Sequence, residues 1–212
     1  MDSYKITFQS WDKIAERYEE KFMNLDLYND TYDLFCRLIE KQNAKVFEIG
    51  CGPGNVTKYL LTKRPDLIIA GIDVSPNMIK LAKKNNPLAN FEVMDCREID
   101  KLSAKYDAVM CGFCLPYLSK NDCEKLIRDC SFLLNSGGII YLSAIEGDYN
   151  ASGYEADSSG QYSSYVYYHS EDHLTECFRK NNFELLSVER KSYMKTDEVI
   201  SSHLILIARK PV

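Results

Sequence analysis

The sequence predicts an α/β protein built on a doubly wound, mostly parallel sheet. Residues 46–55, V-F-E-I-G-C-G-P-G-N, place β-branched and aromatic residues before a glycine-rich turn and a helix. Apolar runs of strand length then alternate with segments of helical periodicity. The chain closes with two strand-like stretches separated by a short polar turn, which is typical of an antiparallel hairpin.

Length and composition favour one domain. With 212 residues and 45% hydrophobic content, the chain can bury one sizeable core. The formal net charge of -5 gives no general attraction to phosphate backbones, so nucleic acid is not an expected partner. No apolar run approaches the about 18 residues that cross a bilayer, and residues 1–5 lack the apolar core of a signal peptide. We therefore expect a cytoplasmic protein without a membrane partner.

The eight cysteines are scattered through apparent strands and helices, which predicts reduced and mostly buried thiols. Cys111 and Cys114 form a C-x-x-C pair, a spacing that occurs in zinc and redox sites. No second pair or histidine cluster in the sequence completes four ligands. We therefore expect no metal site.

Two amphipathic helices are predicted before the first strand. Apolar residues recur at helical spacing from Trp11 to Phe22, and Ser10 is the expected N-cap. Asn29 or Asp30 is the expected cap of the second helix. Because both helices precede the sheet, they form a predicted helical cap over residues 1–42.

The helix after the glycine turn, the second strand and the helix after it are predicted from the residues at their ends. The helix after the glycine turn should end before Arg64, which precedes a proline. The second strand, residues 67–74, carries Asp73 about 20 residues past the turn, where an acidic side chain can reach a ribose. Ser75 and Pro76 then supply an N-cap and a first helical residue.

The third and fourth strands are predicted at residues 91–94 and 106–111, with Asp95 and Cys96 at the end of the third.

A capping box then begins a further helix. Ser119 and Asp122 form this box, and Gly137 and Gly138 should end the helix with a left-handed cap before a fifth strand at residues 139–144.

Residues 146–170 interrupt the alternation with glycines, serines and many tyrosines. A connection this long is usually functional or disordered, and its aromatic content argues against disorder. We expect a lid or a small added hairpin with a functional role. A surface hairpin without a functional role is the open alternative. Ser170 should cap a last helix, and strands at 183–193 and 201–208 should meet through a turn near residues 196–198.

The motif E-x-G-x-G-x-G at residues 48–54, with Asp73 and Asp95 at successive strand ends, resembles that of the class I S-adenosylmethionine (SAM) dependent methyltransferases, especially those acting on small molecules. The resemblance spans residues 11–208 and implies a Rossmann-like, seven-stranded sheet with a reversed last strand. A dinucleotide fingerprint would need a third glycine at position 55, where this chain has Asn55.

The resemblance implies SAM as the cofactor and S-adenosylhomocysteine (SAH) as its product. In that family the glycine turn lies against the methionine part of the cofactor, and the leading acidic residue orients the loop and the ammonium group. The second-strand aspartate binds the ribose hydroxyls, and the third-strand aspartate binds the adenine amino group. The cofactor-binding residues implied here are Glu48, Gly50, Cys51, Gly52, Gly54, Asp73, Val74, Met78, Asp95, Cys96 and Cys111.

The implied reaction is methyl transfer to a nucleophilic atom of a small-molecule acceptor, with alignment and exclusion of water as the protein's main tasks. A general base is needed only if the acceptor starts protonated with a high pKa. Tyr18, Tyr117 and His169 are the candidate catalytic residues and Glu146 is a further conceivable base, with ordinary packing as the open alternative for Tyr18, Tyr117 and His169. Leu115-Pro116-Tyr117 lacks the Asn-Pro start of the N-P-P-Y signature of base methylation.

The predicted organisation is one methyltransferase domain. Within it, residues 1–42 form the helical cap, 43–145 the SAM-binding core, 146–170 the lid or insertion, and 171–212 the last helix and hairpin. Two other functions stay open at this stage. One is a non-catalytic SAM-binding partner protein; the other is an NAD-dependent oxidoreductase, against which Asn55 and the terminal hairpin argue.

Overall fold

The computed structural model describes residues 3–156, 160–195 and 200–212. Three helices precede the first strand, and the others alternate with strands. The α-helices in these residues are α1 (Ser3–Lys13), α2 (Ala15–Phe22), α3 (Asn29–Leu38), α4 (Asn55–Lys63), α5 (Pro76–Asn85), α6 (Lys120–Leu133) and α7 (Glu171–Lys180).

Seven of the described strands form one sheet in the order β3-β2-β1-β4-β5-β9-β8, and β6 pairs with β7 in a separate hairpin. Strands β1 to β5 are parallel, whereas β9 is antiparallel to both of its neighbours. The strands are β1 (Lys45–Ile49), β2 (Ile68–Asp73), β3 (Asn90–Val93), β4 (Tyr106–Cys111), β5 (Leu134–Ile145), β6 (Gly153–Ala156), β7 (Ser163–Val166), β8 (Glu184–Met194) and β9 (Ile200–Arg209).

Helices cover both faces of the sheet. Successive strand residues point to opposite faces, so each central strand contributes side chains to the core on both sides. Val46 packs with Phe35 of α3 and Leu60 of α4 on one face. Its neighbour Phe47 belongs to the cluster that contains Leu126 of α6 and Phe178 of α7 on the other face. The predicted doubly wound sheet with a reversed last strand is confirmed.

Local signals located several helix starts correctly. Ser75 Oγ accepts a hydrogen bond from the N–H of Met78 at 3.1 Å, and Ser119 Oγ accepts one from the N–H of Asp122 at 3.2 Å. Ser170 caps α7 in the same way. These three predicted N-caps are confirmed, since each serine side chain replaces an intrahelical acceptor that the first turn lacks.

Two predicted caps of the amino-terminal helices were wrong. Ser10 lies inside α1, where its side chain is buried and donates to the carbonyl oxygen of Ser163 at 2.7 Å. The N-cap of α3 is Tyr28, and no side chain in the described part of the chain caps this helix. Asn29 and Asp30 are already helical. Ser10 thus bonds to a segment far along the chain, a contact that a local sequence pattern does not contain.

The predicted glycine cap of α6 was also wrong. The helix ends at Leu133, and Leu134 is already extended and pairs with Tyr106 of β4. Gly137 has a positive φ of 75°, but its N–H donates to the carbonyl oxygen of Lys210. Pairing of this segment with β4 and with the carboxyl-terminal strand therefore replaces a helix cap.

The connection over residues 146–170 contains the β6–β7 hairpin, and α1 lies against it. Thr7 Oγ1 accepts a hydrogen bond from the N–H of Tyr165 at 2.9 Å. Within this connection, residues 157–159 are outside the described part of the chain, as is the predicted turn near residues 196–198. Among the described helices, none has the length and apolar character that crossing a bilayer requires.

Candidate active site

The glycine turn joins β1 to α4 at the carboxyl edge of the parallel strands. Gly50, Gly52 and Gly54 all have positive φ, between 51° and 80°, which side chains with a Cβ rarely adopt. A Cβ at Gly54 would lie 2.3 Å from Nδ2 of Asn86, whereas one at Gly52 would lie 3.6 Å from Cε1 of Tyr18. Gly54 therefore permits close packing against α5, and Gly52 faces the aromatic side chains of α2.

Asp73 lies at the end of β2 and holds the glycine turn through its carboxylate. One carboxylate oxygen accepts from the N–H of Gly52 and the other from the N–H of Ser75, both at 2.9 Å. Burial raises the pKa of Asp73 above its ordinary value. Each oxygen retains a further lone pair, so the carboxylate can accept additional hydrogen bonds from a ligand.

Glu48 is buried beneath the same turn, with 2% of its surface exposed. The Thr57 hydroxyl, in the first turns of α4, donates to its carboxylate. Burial raises the pKa of Glu48 to about 8, and none of the ion pairs among the described residues includes it. The site thus contains a carboxyl group whose ionised form lacks a cationic partner.

Four thiols lie in or near the glycine turn. Cys114 Sγ is 3.6 Å from Cys96 Sγ, and a Cβ on Gly50 would lie 3.0 Å from Cys114 Cβ. Cys111 is fully buried at the end of β4, and burial of Cys51 raises the pKa of its thiol well above the ordinary value. All four are free thiols, as the sequence predicts.

Asp95, at the end of β3, forms a bidentate ion pair with Arg97, with Nη2 of Arg97 2.6 Å from the carboxylate. The Arg97 guanidinium lies 4.0 Å from the ring centroid of Tyr4 and 5.6 Å from that of Phe8. This cation–π contact fastens α1 to the end of β3. The adenine role that the resemblance implies for Asp95 stays a prediction.

The amino-terminal helices lie over the second strand end. Asp12 accepts hydrogen bonds from Ser75 Oγ at 2.6 Å and from the N–H of Asn77 at 3.0 Å. Met78 is buried in a small cluster against which Trp11 and Tyr18 pack. Val74, the first residue after β2, is half-buried. This arrangement places Met78, one of the predicted cofactor-binding residues, beneath α1 and α2.

Trp11 connects two of the candidate catalytic residues. Its ring centroid lies 5.5 Å from that of Tyr18 and 5.3 Å from that of Tyr117, both in edge contacts. Trp11 Nε1 is buried, and no hydrogen-bond acceptor reaches it within the described residues. Burial raises the pKa of Tyr18 and of Tyr117 well above the ordinary range, so both phenols remain protonated at neutral pH.

A second aromatic group continues from the first. Tyr18 contacts Phe22, and Phe22 contacts Tyr193, with ring centroids 4.5 Å and 6.4 Å apart. Tyr193 stacks on His203 at 5.0 Å. We call the resulting set the aromatic wall; it consists of Trp11, Tyr18, Phe22, Tyr28, Phe113, Tyr117, Tyr193 and His203.

The sequence prediction missed the part of the aromatic wall around His203. Tyr28 Oη and His203 Nδ1 share a hydrogen bond of 2.6 Å across 175 positions in the chain. Phe113, the second residue after β4, has a φ of 57° and packs against both rings. Its place directly after a parallel strand was the one signal in the sequence that could have identified it.

The remaining candidate bases have other partners. His169 Nε2 lies 3.0 Å from the carbonyl oxygen of Leu115, and its ring faces His173 of α7. Glu146 is held by Arg190 through two contacts of 2.6 Å and 2.8 Å. The structure therefore brings Tyr18 and Tyr117 together and places His169 and Glu146 in separate contacts.

The sheet order and the glycine turn held by Asp73 are those of the class I SAM-dependent methyltransferase fold. Residues 46–138 match a family model described as a methyltransferase domain, in agreement with the resemblance seen in the sequence.

Two named relatives extend the comparison. The chain is 27% identical over 137 residues to demethylmenaquinone methyltransferase of Thermotoga maritima, which covers 63% of this chain and 59% of that protein. It is 27% identical over 156 residues to the Schizosaccharomyces pombe tRNA N(3)-methylcytidine methyltransferase trm141, which covers 68% of this chain and 62% of that protein. The chain thus spans less than two thirds of either relative.

A solved structure is similar along the whole chain. This is the 1,6-didemethyltoxoflavin-N1-methyltransferase of Burkholderia thailandensis with bound 1,6-didemethyltoxoflavin and SAH. The likeness has a TM-score of 0.73, 18% identity, and coverage of 100% of this chain and 92% of that one. At this identity the likeness concerns the fold.

Proposed function

We propose that this chain binds SAM at the carboxyl ends of β1, β2 and β3 and transfers its methyl group to a small-molecule acceptor held by the aromatic wall. The observation that carries the proposal is the position of Asp73. Its carboxylate holds the Gly52 turn and still offers lone pairs at the strand edge where open α/β sheets bind ligands.

The polar groups of the site fit the cofactor. Glu48 is a buried carboxyl without a basic partner in the described chain, and the ammonium group of SAM would compensate the cost of ionising it. Trp11 Nε1 is a buried donor that finds no acceptor among the described residues, so it offers a hydrogen bond to a ligand between α1 and the sheet. Asp73 would hold the ribose hydroxyls.

Bound SAM supplies an activated methyl group on a sulfonium. The chain's residues would position the acceptor in line with it and exclude water, which is the main requirement for such a displacement. The Asp12 contacts to Ser75 and Asn77 hold α1 over the strand ends and thereby cover the site. The rings of the aromatic wall supply apolar surface for an acceptor.

The protonation states of the wall favour one kind of acceptor. Tyr18, Tyr28 and Tyr117 all have raised pKa values because they are buried, so at neutral pH they act as hydrogen-bond donors. Burial lowers the pKa of His203 to about 4, which keeps its ring neutral and makes it a weak base. We infer that the acceptor brings a nucleophile that is already unprotonated, such as a carboxylate or an aromatic nitrogen.

A nucleic-acid acceptor has less support, although one relative is named as a tRNA methyltransferase. The chain carries 31 acidic against 26 basic side chains, which gives no net attraction to a phosphate backbone. The aromatic wall is local, and α1 and α2 contribute three of its eight residues, which suits a molecule of limited size.

Calorimetric titration with SAM, SAH and NAD in parallel tests the proposal. We expect SAM and SAH to bind and NAD not to bind. Asp73→Asn should weaken SAM binding by about 10- to 100-fold, because the amide offers fewer acceptors than the carboxylate that now receives two N–H groups. Asp66→Asn is the matched control, since Asp66 lies in the turn before the opposite end of β2 and pairs with Arg64.

Three results would contradict the proposal or part of it. Binding of NAD alone would overturn the cofactor, and unchanged SAM affinity in the folded Asp73→Asn protein would remove Asp73 from the site. SAM binding without methyl transfer to any member of a panel of carboxylate, aromatic nitrogen, phenol and amine acceptors would favour the non-catalytic SAM-binding alternative. Circular dichroism of each variant establishes that it is folded.

A further inference from the structure

A group of metal-binding side chains lies between α6 and α7. Cys123 on α6, His169 before α7 and His173 on α7 each offer one ligand atom, and these three atoms lie within 4.8 Å of one another. Cys123 and His169 have no exposed surface, and 12% of the His173 side chain is exposed. The group contains neither Cys111 nor Cys114, which form the C-x-x-C pair in the sequence.

The hydrogen bonding of His169 fixes which ring nitrogen is free. Its Nε2 lies 3.0 Å from the carbonyl oxygen of Leu115, and a carbonyl can only accept, so Nε2 carries the proton. Nδ1 is therefore an unprotonated nitrogen, and it is buried without a hydrogen-bond partner in the described chain. A histidine whose outer N–H donates to a backbone carbonyl while its other nitrogen is free has the arrangement of a metal ligand.

The neighbouring side chains suit a divalent ion. The rings of His169 and His173 are nearly parallel, 15° apart, with centroids 5.9 Å from each other. Cys177, one helical turn after His173, has its Sγ 3.9 Å from Nε2 of that ring. Glu124 approaches His173 at 4.0 Å and partly offsets the positive charge of Lys120 nearby. A thiol and two imidazoles are the donor set that zinc prefers.

We infer that Cys123, His169 and His173 bind a divalent transition-metal ion of the zinc type. On binding, the Cys123 thiol loses its proton to solvent and ligates as the thiolate, while both histidines ligate as neutral imidazoles. Cys177, whose Sγ lies 3.9 Å from Nε2 of His173, is the candidate for a fourth ligand.

The ion would have a structural effect rather than a catalytic one. His169 is the second-last residue of the connection over residues 146–170, and its N–H donates to the carbonyl oxygen of Ile145 at 3.0 Å. A metal bond to His169 would fasten the end of this connection to α6 and α7. This inference does not depend on the proposed methyl transfer.

Cobalt and zinc binding to the full chain, freed of any affinity tag and treated with a chelator under reducing conditions, tests the site. We expect one Co²⁺ per chain, with the visible absorption of a tetrahedral complex and a near-ultraviolet thiolate-to-cobalt band, and displacement by Zn²⁺. Cys123→Ser should lose the thiolate band and weaken binding by about tenfold or more. Cys130→Ser is the matched control, because Cys130 is equally buried two turns further along α6.

The melting temperature with and without Zn²⁺ distinguishes a variant that no longer binds metal from one that no longer folds. Zn²⁺ should raise the melting temperature of the wild-type and Cys130→Ser proteins but not that of Cys123→Ser. Absence of Co²⁺ and Zn²⁺ binding by the folded wild-type protein would overturn the inference, as would identical spectra from both cysteine variants. Loss of the thiolate band in Cys177→Ser but not in Cys123→Ser would transfer the site to Glu124, His173 and Cys177 and refute the proposed ligand set.

Discussion

Replacing Glu48 by glutamine should make the ligand-free protein more stable at neutral and alkaline pH while weakening SAM binding. Glu48 is buried under the glycine turn, and its pKa is raised from the ordinary 4.5 to about 8. Below pH 4.5 the carboxyl is protonated in both the folded and the unfolded chain. Between pH 4.5 and 8 the unfolded chain loses this proton first, so the free energy of unfolding decreases as the pH rises.

The size of the effect follows from the pKa difference. At about 1.4 kcal/mol for each pKa unit, ionising Glu48 costs the folded protein up to about 5 kcal/mol by pH 8, as an order of magnitude. Glutamine keeps an oxygen that can accept from the Thr57 hydroxyl but never ionises. The Glu48→Gln protein should therefore be more stable than wild type at pH 8 by several kcal/mol and equally stable near pH 4.5.

Urea unfolding at a series of pH values between 5 and 8 measures this difference. Glu184→Gln is the control, because Glu184 is an exposed residue at the start of β8. If the wild-type and Glu48→Gln proteins show the same dependence of unfolding free energy on pH, burial of an ionisable Glu48 is not the cause of that dependence. Saturating SAM should reduce the dependence in wild type alone, since only the carboxylate attracts the ammonium group.

Two further substitutions test the parts that hold the site together. Gly54→Ala should destabilise the fold by about 2 kcal/mol or more in urea denaturation, because the new Cβ would meet Nδ2 of Asn86 and the residue has a positive φ. Gly153→Ala is the control: no atom of the described residues lies within 4 Å of the new Cβ, so stability should change by less than about 0.5 kcal/mol. Arg97→Lys should accelerate amide hydrogen exchange in α1 by roughly 3- to 30-fold, because the contacts with the Tyr4 and Phe8 rings and the bidentate pair with Asp95 are lost. Arg179→Lys, on α7, should leave exchange in α1 unchanged. Equal exchange rates in both variants would contradict the role of Arg97.

The parts of the fold and site that the sequence predicted are those determined by neighbouring residues. The run from Val46 to Gly54 contains both the strand and the positive-φ turn that ends it, so the order of residues was sufficient. Asp73 is the last residue of β2 and Ser75 follows two positions later, and each accepts one hydrogen bond from a nearby backbone N–H, of Ser75 and of Met78 respectively. The two strand-like stretches and the short polar turn between them predicted that β8 and β9 are antiparallel, and the family resemblance implied the reversed strand in the sheet.

The parts that the sequence did not predict depend on pairs far apart in the chain. Ser10 would cap a helix in isolation, but its partner is Ser163 in the β6–β7 hairpin. Tyr28 and His203 meet only because β9 enters the sheet beside β5. Cys123 is separated from His169 by the whole of β5 and the following connection, so no spacing rule brings them together.

The position of α1 has a kinetic consequence. This helix is bonded at Asp12 to the second strand end, and at Thr7 and Ser10 to the β6–β7 hairpin. If SAM binds beneath it, each turnover requires these bonds to break once for product to leave and new donor to enter. Opening of the helix would then limit the turnover rate. This rate would decrease in viscous solvent and would not depend on the reactivity of the acceptor.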